Sequence, residues 1–168
     1  MKKVLYACFL MLVMSGAYAI EPSLCGEYED DYFSCVSGKK IVSVCLSQEF
    51  SPDSGRLSYR YGVTGKIELE YSASYSELSS KFDFAMSSYA KGNVSELSFS
   101  VGKYTYTVHS DRHVFRESTA GVFLERENKV VAYKKCDNSR PRNKHLLTDL
   151  RKIGFVTGEA RGIGTVGD

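Results

Sequence analysis

Hydrophobic and polar residues alternate in short runs along most of the chain, and residues with turn chemistry separate the runs. Arg56–Tyr61 and Lys66–Tyr71 show the pattern most clearly, with a Leu or Ile and tyrosines at every second position. A period of two places one side of a strand in a core and the other in water. Many short strands at regular spacing predict an all-β fold, an antiparallel barrel or sandwich of about eight strands. The predicted strands are Tyr32–Ser37, Lys40–Leu46, Arg56–Tyr61, Lys66–Tyr71, Lys81–Met86, Val94–Val101, Lys103–His109, the short Val114–Arg116, Thr119–Arg126 and Lys129–Cys136.

No helix is predicted before residue 140, and a serine-rich stretch at 72–80 is predicted as a loop. The pattern changes after Cys136. In His145–Ile153, leucines and an isoleucine recur at helical spacing, which makes a short C-terminal helix possible. Gly154–Asp168 is glycine-rich and is expected to be loose. The domain prediction is therefore a β domain at 20–138 followed by a basic, glycine-rich tail at 139–168.

The first 19 residues have the layout of a secretory signal peptide. Lys2 and Lys3 precede an apolar run, and Ala17-Tyr18-Ala19 is a small-x-small cleavage site. No other run reaches the roughly 18 apolar residues that a membrane helix needs. We therefore expect an exported bacterial protein, periplasmic or secreted, with no integral membrane segment after cleavage.

Charge narrows the classes of partner. The chain has 22 basic and 20 acidic residues, and loss of Lys2 and Lys3 with the signal leaves the two signs equal. A net charge near zero implies neither general nucleic-acid binding nor binding to anionic membranes. Acidic residues dominate the front of the mature chain and basic residues the tail. This asymmetry has two interpretations, solvated ends or an acidic patch for a cationic partner.

The four cysteines outside the signal predict two disulfides, because an exported chain matures in an oxidising compartment. Three connectivities are possible. If the turn of the first hairpin centres on Gly38, Cys35 lies opposite a residue near Ile41, and Cys45 lies opposite Tyr32 or Phe33. A Cys35–Cys45 bridge would then span a diagonal longer than the Cα separation of about 7 Å that a disulfide tolerates. We prefer Cys35–Cys136 with Cys25–Cys45.

No residue pattern specifies a reaction, and the chain is predicted not to be an enzyme, with no catalytic residues, no cofactor and no metal. His109, Asp111 and His113 would share one face of a strand and could ligate a metal, but Ser110-Asp111-Arg112 also has turn chemistry, which would separate them. Gly162, Gly164 and Gly167 fit a dinucleotide-binding glycine pattern, yet the strand–turn–helix unit that such a site needs is missing around them.

Four segments carry a resemblance to known proteins. FSCVSGKKIVSVC, LSYRYGVTGKIELEY, FSVGKYTYTV and AGVFLERENKVV with its following cysteine together resemble an uncharacterised family of small exported bacterial proteins. The resemblance covers about residues 25 to 136.

More remotely, the layout is similar to the bacterial inhibitors of c-type lysozyme, which are small exported β-barrels. The matching positions are Phe33-Ser-Cys35, Gly102 to Tyr106, Phe115, Ala120 and Cys136. The resemblance independently implies the Cys35–Cys136 bridge and an inhibitory role for Ser100 and Tyr104. Val101 stands where the inhibitors have a glycine, and the segment after Phe115 lacks their lysine-glycine pair.

These observations predict a non-enzymatic protein-binding domain that uses loops at one end, around Gly102 and Phe115. The named expectation is an inhibitor of a lysozyme-like cell-wall hydrolase, with Ser100, Lys103 and Tyr104 in an inserted loop that blocks the enzyme's cleft. The alternative is an envelope structural or small-ligand-binding protein, which would need an internal cavity.

Overall fold

The computed structural model describes residues 22–137, 150 and 158–160 of the chain. Within them, nine strands form a four-stranded sheet and a five-stranded sheet, each antiparallel and each with its strands in chain order. Two separate sheets make the fold a sandwich, which confirms the predicted all-β class and selects between its two forms. The strands are β1 (Glu29–Ser37), β2 (Lys40–Ser47), β3 (Arg56–Val63), β4 (Lys66–Ser74), β5 (Asp83–Tyr89), β6 (Gly92–Val101), β7 (Tyr104–His113), β8 (Thr119–Arg126) and β9 (Lys129–Lys135).

Tight two-residue turns connect several neighbouring strands. Gly38, Gly65 and Gly102 occupy these turns with φ values of 61°, 79° and 60°, a left-handed conformation that glycine adopts without a Cβ penalty. The β8–β9 turn uses Glu127 and Asn128 instead, both with positive φ. Such turns match the twist of antiparallel strands and fix the hairpin register.

Aromatic rings from both sheets meet in the core. Phe99 of β6 lies 4.6 Å from Tyr71 and 4.8 Å from Tyr59 of the first sheet, and it stacks at 5.1 Å on Tyr106 of β7. Val42 and Leu97 beside this cluster are fully buried. The alternation that predicted the strands therefore also identified the faces that pack together.

The first hairpin places its two cysteines on opposite faces of the sheet. Cys35 pairs with Val42 and belongs to the core, whereas Cys45 pairs with Asp31 on the outer side. Cys35 lies one residue from its expected register because the turn spans residues 38 and 39, and Cys45 is displaced because a bulge at Tyr32 adds a residue to β1. A bridge between Cys35 and Cys45 is impossible in this arrangement.

Both disulfides are those predicted. Cys35–Cys136 joins the two sheets with a Cα separation of 5.6 Å, and Cys25–Cys45 holds the N-terminal arm on the outer face with a Cα separation of 5.4 Å. The arm adds polar contacts there, since the Leu24 amide donates to the Ser43 hydroxyl at 2.9 Å. The first hairpin thus attaches the arm on one side and the last strand on the other.

Three local predictions were wrong: the loop at 72–80, the absence of a helix before residue 140, and the strand Val114–Arg116. Residues 75–81 are not a loop but a 3₁₀ turn, Tyr75–Glu77, followed by a short helix, α1 (Leu78–Lys81). A reciprocal capping box between Ser74 and Glu77 starts this segment, which explains how a serine-rich stretch becomes helical. Val114–Arg116 is not a strand, because β7 itself continues to His113 and the chain then turns.

The predicted signal peptide lies outside the described residues, as does most of the predicted tail and its helix. Leu150 is described, has helical conformation and is fully buried in the core cluster. Gly158 pairs in parallel with Ala85 on the edge strand β5, and the Ser87 hydroxyl donates to the Ala160 carbonyl at 3.1 Å. The expectation of a loose C-terminus therefore does not hold for residues 158–160. No helix among the described residues is long and apolar enough to cross a bilayer.

Candidate binding surfaces

The loop between β7 and β8, residues 114–118, presents two large apolar side chains to solvent. Val114 and Phe115 are each 73% exposed, and among the large hydrophobic residues that the structure describes only Tyr28 of the arm is more exposed. The Lys91 ammonium lies 4.5 Å from the centre of the Phe115 ring, in cation–π contact. We call residues 114–118 the Phe115 loop.

Backbone hydrogen bonds fix the shape of the Phe115 loop. The Nδ1 atom of His113 accepts from the amides of Phe115 at 2.9 Å and Arg116 at 3.1 Å. The Val114 amide donates to the Lys91 carbonyl at 2.9 Å, which ties the loop to the neighbouring β5–β6 turn. Phe115 is therefore held in place by its backbone while its ring faces water.

A buried carboxylate holds the base of the Phe115 loop. Asp111 is 4% exposed, accepts from the Tyr89 hydroxyl at 2.5 Å, and pairs with the Arg116 guanidinium at 2.6 Å. Partial desolvation and this hydrogen bond raise the pKa of the Tyr89 phenol. The three side chains link β5, β7 and the loop into one polar cluster.

The predicted partner-binding residues form a second surface, at the β6–β7 turn. Ser100, Lys103 and Tyr104 lie together there, as expected, on residues 100–104, which we call the Gly102 tip. Tyr104 is 38% exposed and pairs with Arg126 of β8, while the Ser100 hydroxyl bonds that of Thr105 at 3.1 Å. The tip is a two-residue turn, because Val101 and Tyr104 are a strand pair. This agrees with the tight turn that the predicted strands Val94–Val101 and Lys103–His109 leave at Gly102.

The Gly102 tip and the Phe115 loop lie at opposite ends of β7. Tyr104 opens this strand and His113 closes it, which separates the two surfaces by about 30 Å at the usual rise per residue. The expectation that both act at one end is wrong, because β7 runs unbroken through Ser110-Asp111-Arg112 instead of turning there. A single small partner site cannot include both.

The row of His109, Asp111 and His113 shares one face of β7, but each member has its own contacts. The Nε2 atom of His109 lies 3.2 Å from the Tyr133 hydroxyl, while Asp111 and His113 serve the Phe115 loop. Burial lowers the pKa of His109 to about 4, against a smaller raising effect from Asp111. Among the described residues, the group of potential ligand atoms that do converge is Cys25, Glu29 and Cys45, and its two sulfurs are bound to each other.

Part of the acidic front is already paired within the protein. Arg60 of β3 binds Glu29 and Glu70 and donates to the Leu24 carbonyl at 3.1 Å. Burial raises the pKa of Glu29, but hydrogen bonds from Arg60 and the Gly26 amide outweigh it and hold that pKa below its usual value. These contacts attach the N-terminal arm, so the carboxylate of Glu29 is not available to a cationic partner.

Comparisons with known proteins give no family for this chain. No family model matches it, and neither a curated protein nor a solved structure does.

Proposed function

We propose that this chain is an exported, non-enzymatic domain that binds a protein partner through the Phe115 loop. The observation that carries the proposal is the exposure of Val114 and Phe115 side by side, 73% each, in a loop of defined shape. Aromatic side chains at the centre of an interface supply much of its binding energy when they enter a pocket on the partner.

The contacts that hold the loop favour recognition. Ordering a loop on binding costs free energy, and a loop that is already ordered avoids that cost. Here His113 fixes two amides of the loop and Asp111 fixes Arg116. Nothing in the packing of the sandwich needs Phe115 itself, because its ring lies outside the core.

The charges beside Phe115 indicate the kind of partner. Lys91 contacts the Phe115 ring, Arg116 of the loop is exposed but paired with Asp111, and Arg112 and Glu117 are exposed charges close to Phe115 in sequence. A cleft with an apolar subsite and carboxylates at its rim complements this arrangement. Glycosidases that cleave cell-wall polysaccharide carry a pair of catalytic carboxylates in such a cleft. Together with the remote resemblance, this supports an inhibitor of a lysozyme-like cell-wall hydrolase.

Export is part of the proposal. Two disulfides are typical of proteins that mature outside the cytoplasm, and residues 1–19 have signal-peptide character. The periplasm, or secretion beyond it, is where such an inhibitor would meet cell-wall hydrolases.

The test measures inhibition of lysozymes of several types by the purified, oxidised protein at micromolar excess. We expect inhibition of at least one type, lost in Phe115→Ser and retained in Tyr104→Ser at the Gly102 tip. Loss in Tyr104→Ser alone would assign the contact to Ser100, Lys103 and Tyr104 instead. A pull-down from envelope extract is the second measurement, in which a partner should bind the wild type and not Phe115→Ser. The proposal is refuted if no lysozyme is inhibited and no such partner is found.

A further inference from the structure

A groove opens between the two sheets, between the edge strands β4 and β9. It encloses about 320 Å³, roughly ten water molecules by their share of liquid volume, and lies at the lower end of the range for small-molecule sites. Leu69 of β4 and Ala132 of β9 form its two sides. The remaining walls come from inward-facing residues of both sheets, and the full lining is Tyr59, Tyr61, Glu68, Leu69, Tyr106, Val122, Leu124, Ala132 and Lys134.

Three tyrosines bring their phenol groups to this apolar groove. Tyr59 is 2% exposed, and its ring packs 6.4 Å from that of Tyr106. Burial, followed by the nearby phenols of Tyr106 and Tyr61, raises the pKa of Tyr59 well above its usual value. Its hydroxyl is therefore a neutral donor over the whole physiological range.

The Tyr59 hydroxyl forms no hydrogen bond with any side chain or backbone atom in the described part of the chain. Buried tyrosines usually find an acceptor, and the Tyr59 oxygen is not among the solvent-sealed polar atoms without a partner, so it keeps some contact with solvent. Tyr59 lines the groove, so an acceptor on a bound molecule could take a hydrogen bond from its hydroxyl. This is a second observation, independent of the volume, that points to a ligand.

The mouth of the groove has one paired and one unpaired charge. Glu68 forms an ion pair with Lys40 across the first sheet, which neutralises it. Lys134 is exposed and has no ion pair within residues 22–137. The cation that remains at the mouth favours an anionic group.

We propose that the groove binds a small amphipathic carboxylate, with its apolar body against Leu69, Leu124 and Ala132 and its head group accepting from Tyr59 and Lys134. This site lies apart from the Phe115 loop and requires no partner protein. It therefore goes beyond the proposed inhibitory function, and either can fail without the other.

The test is calorimetric titration of the full oxidised protein with octanoate, a medium-chain carboxylate of suitable size. Octanol supplies the same chain without the charge, and acetate supplies the charge without the chain. We expect saturable binding of octanoate, binding of octanol weaker by about tenfold or more, and no binding of acetate. No binding of octanoate at millimolar concentration, or equal binding of octanol, would overturn the proposal.

Variants locate the site. Ala132→Trp should abolish binding by filling the groove, and Tyr59→Phe and Lys134→Gln should each weaken octanoate binding by about tenfold. Lys135→Gln is the matched control, because Lys135 is the next residue of β9 and points to the other face of the sheet. Unchanged binding in Ala132→Trp, or equal effects of the two lysine variants, would place the ligand elsewhere and refute the proposal.

Discussion

The two ends of β7 are built in different ways. At the Gly102 tip, the chain reverses in two residues through backbone geometry, and no atom lies within 4 Å of the position a Cβ would take on Gly102. At the Phe115 end, side chains from two strands, Tyr89 of β5 and Asp111 and His113 of β7, converge under the loop. The Cys35–Cys136 disulfide lies near this end, because the Cys136 amide donates to the Ala120 carbonyl at 2.9 Å at the start of β8. It adds a covalent link between the two sheets there.

The two ends differ in how many side-chain interactions hold the chain in its conformation. A hairpin tip needs only a glycine to close, whereas an exposed phenylalanine in a five-residue loop needs several contacts to stay in one conformation. The end with the larger exposed apolar area is also the end with more side-chain hydrogen bonds. We infer that recognition and rigidity coincide at the Phe115 loop.

Loss of the inter-sheet disulfide should have the largest effect. The Cys35→Ser, Cys136→Ser double variant opens a loop with a sequence separation of 101, and we expect it to lower the free energy of unfolding by about 4–5 kcal/mol. The matched Cys25→Ser, Cys45→Ser variant opens a separation of 20 and should lose about 3 kcal/mol. Guanidinium unfolding of both variants measures the two losses. Equal losses, or a larger loss for the arm bridge, would contradict the assignment of Cys35–Cys136 as the principal link.

Acid should destabilise the protein through His109. Its pKa is about 4 in the folded state and about 6.5 in the unfolded chain, so the unfolded state binds more protons between these values. The stabilisation is complete above pH 6.5 and is lost as the pH falls towards 4, by up to about 3 kcal/mol. Unfolding curves between pH 4 and 7 for the wild type and His109→Gln should differ in slope. Parallel pH profiles would show that His109 does not control this dependence.

Gly102→Ala should have a smaller effect, confined to the other end. An L-residue at φ 60° is strained by about 1 kcal/mol, and no neighbouring atom adds a clash. Asn tolerates this conformation better, so Gly102→Asn is the control and should restore part of the loss. Thermal unfolding separates the two variants. If Ala and Asn were equally destabilising, the cost would not come from the backbone conformation.

Asp111→Asn should change global stability least and local order most. Asn still accepts from the Tyr89 hydroxyl but loses the ion pair with Arg116. The amides of Phe115 and Arg116 should then exchange with deuterium roughly tenfold faster, while the Gly102 tip is unchanged. Faster exchange at both ends would mean that Asp111 supports the whole sheet and not the loop alone.

Periodicity was sufficient for most strands, because a two-residue repeat has one structural interpretation in a half-buried sheet. The disulfide pairing of Cys35 and Cys45 could also be predicted, since their positions in one hairpin exclude a bridge between them. The bulge at Tyr32 could not be predicted, because it depends on how β1 pairs with β2 and has no signal in the composition. The capping box at Ser74 and Glu77 was available in the sequence, and the serine-rich composition concealed it.

The candidate sites were less predictable. The continuation of β7 through Ser110-Asp111-Arg112 depends on pairing with β6 and β8 and on Tyr89, which is distant in sequence and donates to Asp111. Local turn propensity could not anticipate that. The groove likewise exists only because edge strands from two sheets face each other, although the alternation in Arg56–Tyr61 already placed Tyr59 and Tyr61 on one face.

The most direct test of the central claim is a hydrogen-exchange footprint of the wild-type protein in complex with a lysozyme selected by the inhibition assay. The account predicts slowed exchange at residues 114–116 and 91 on complex formation, with residues 100–104 unchanged. Protection at residues 100–104 with none in the Phe115 loop would contradict it.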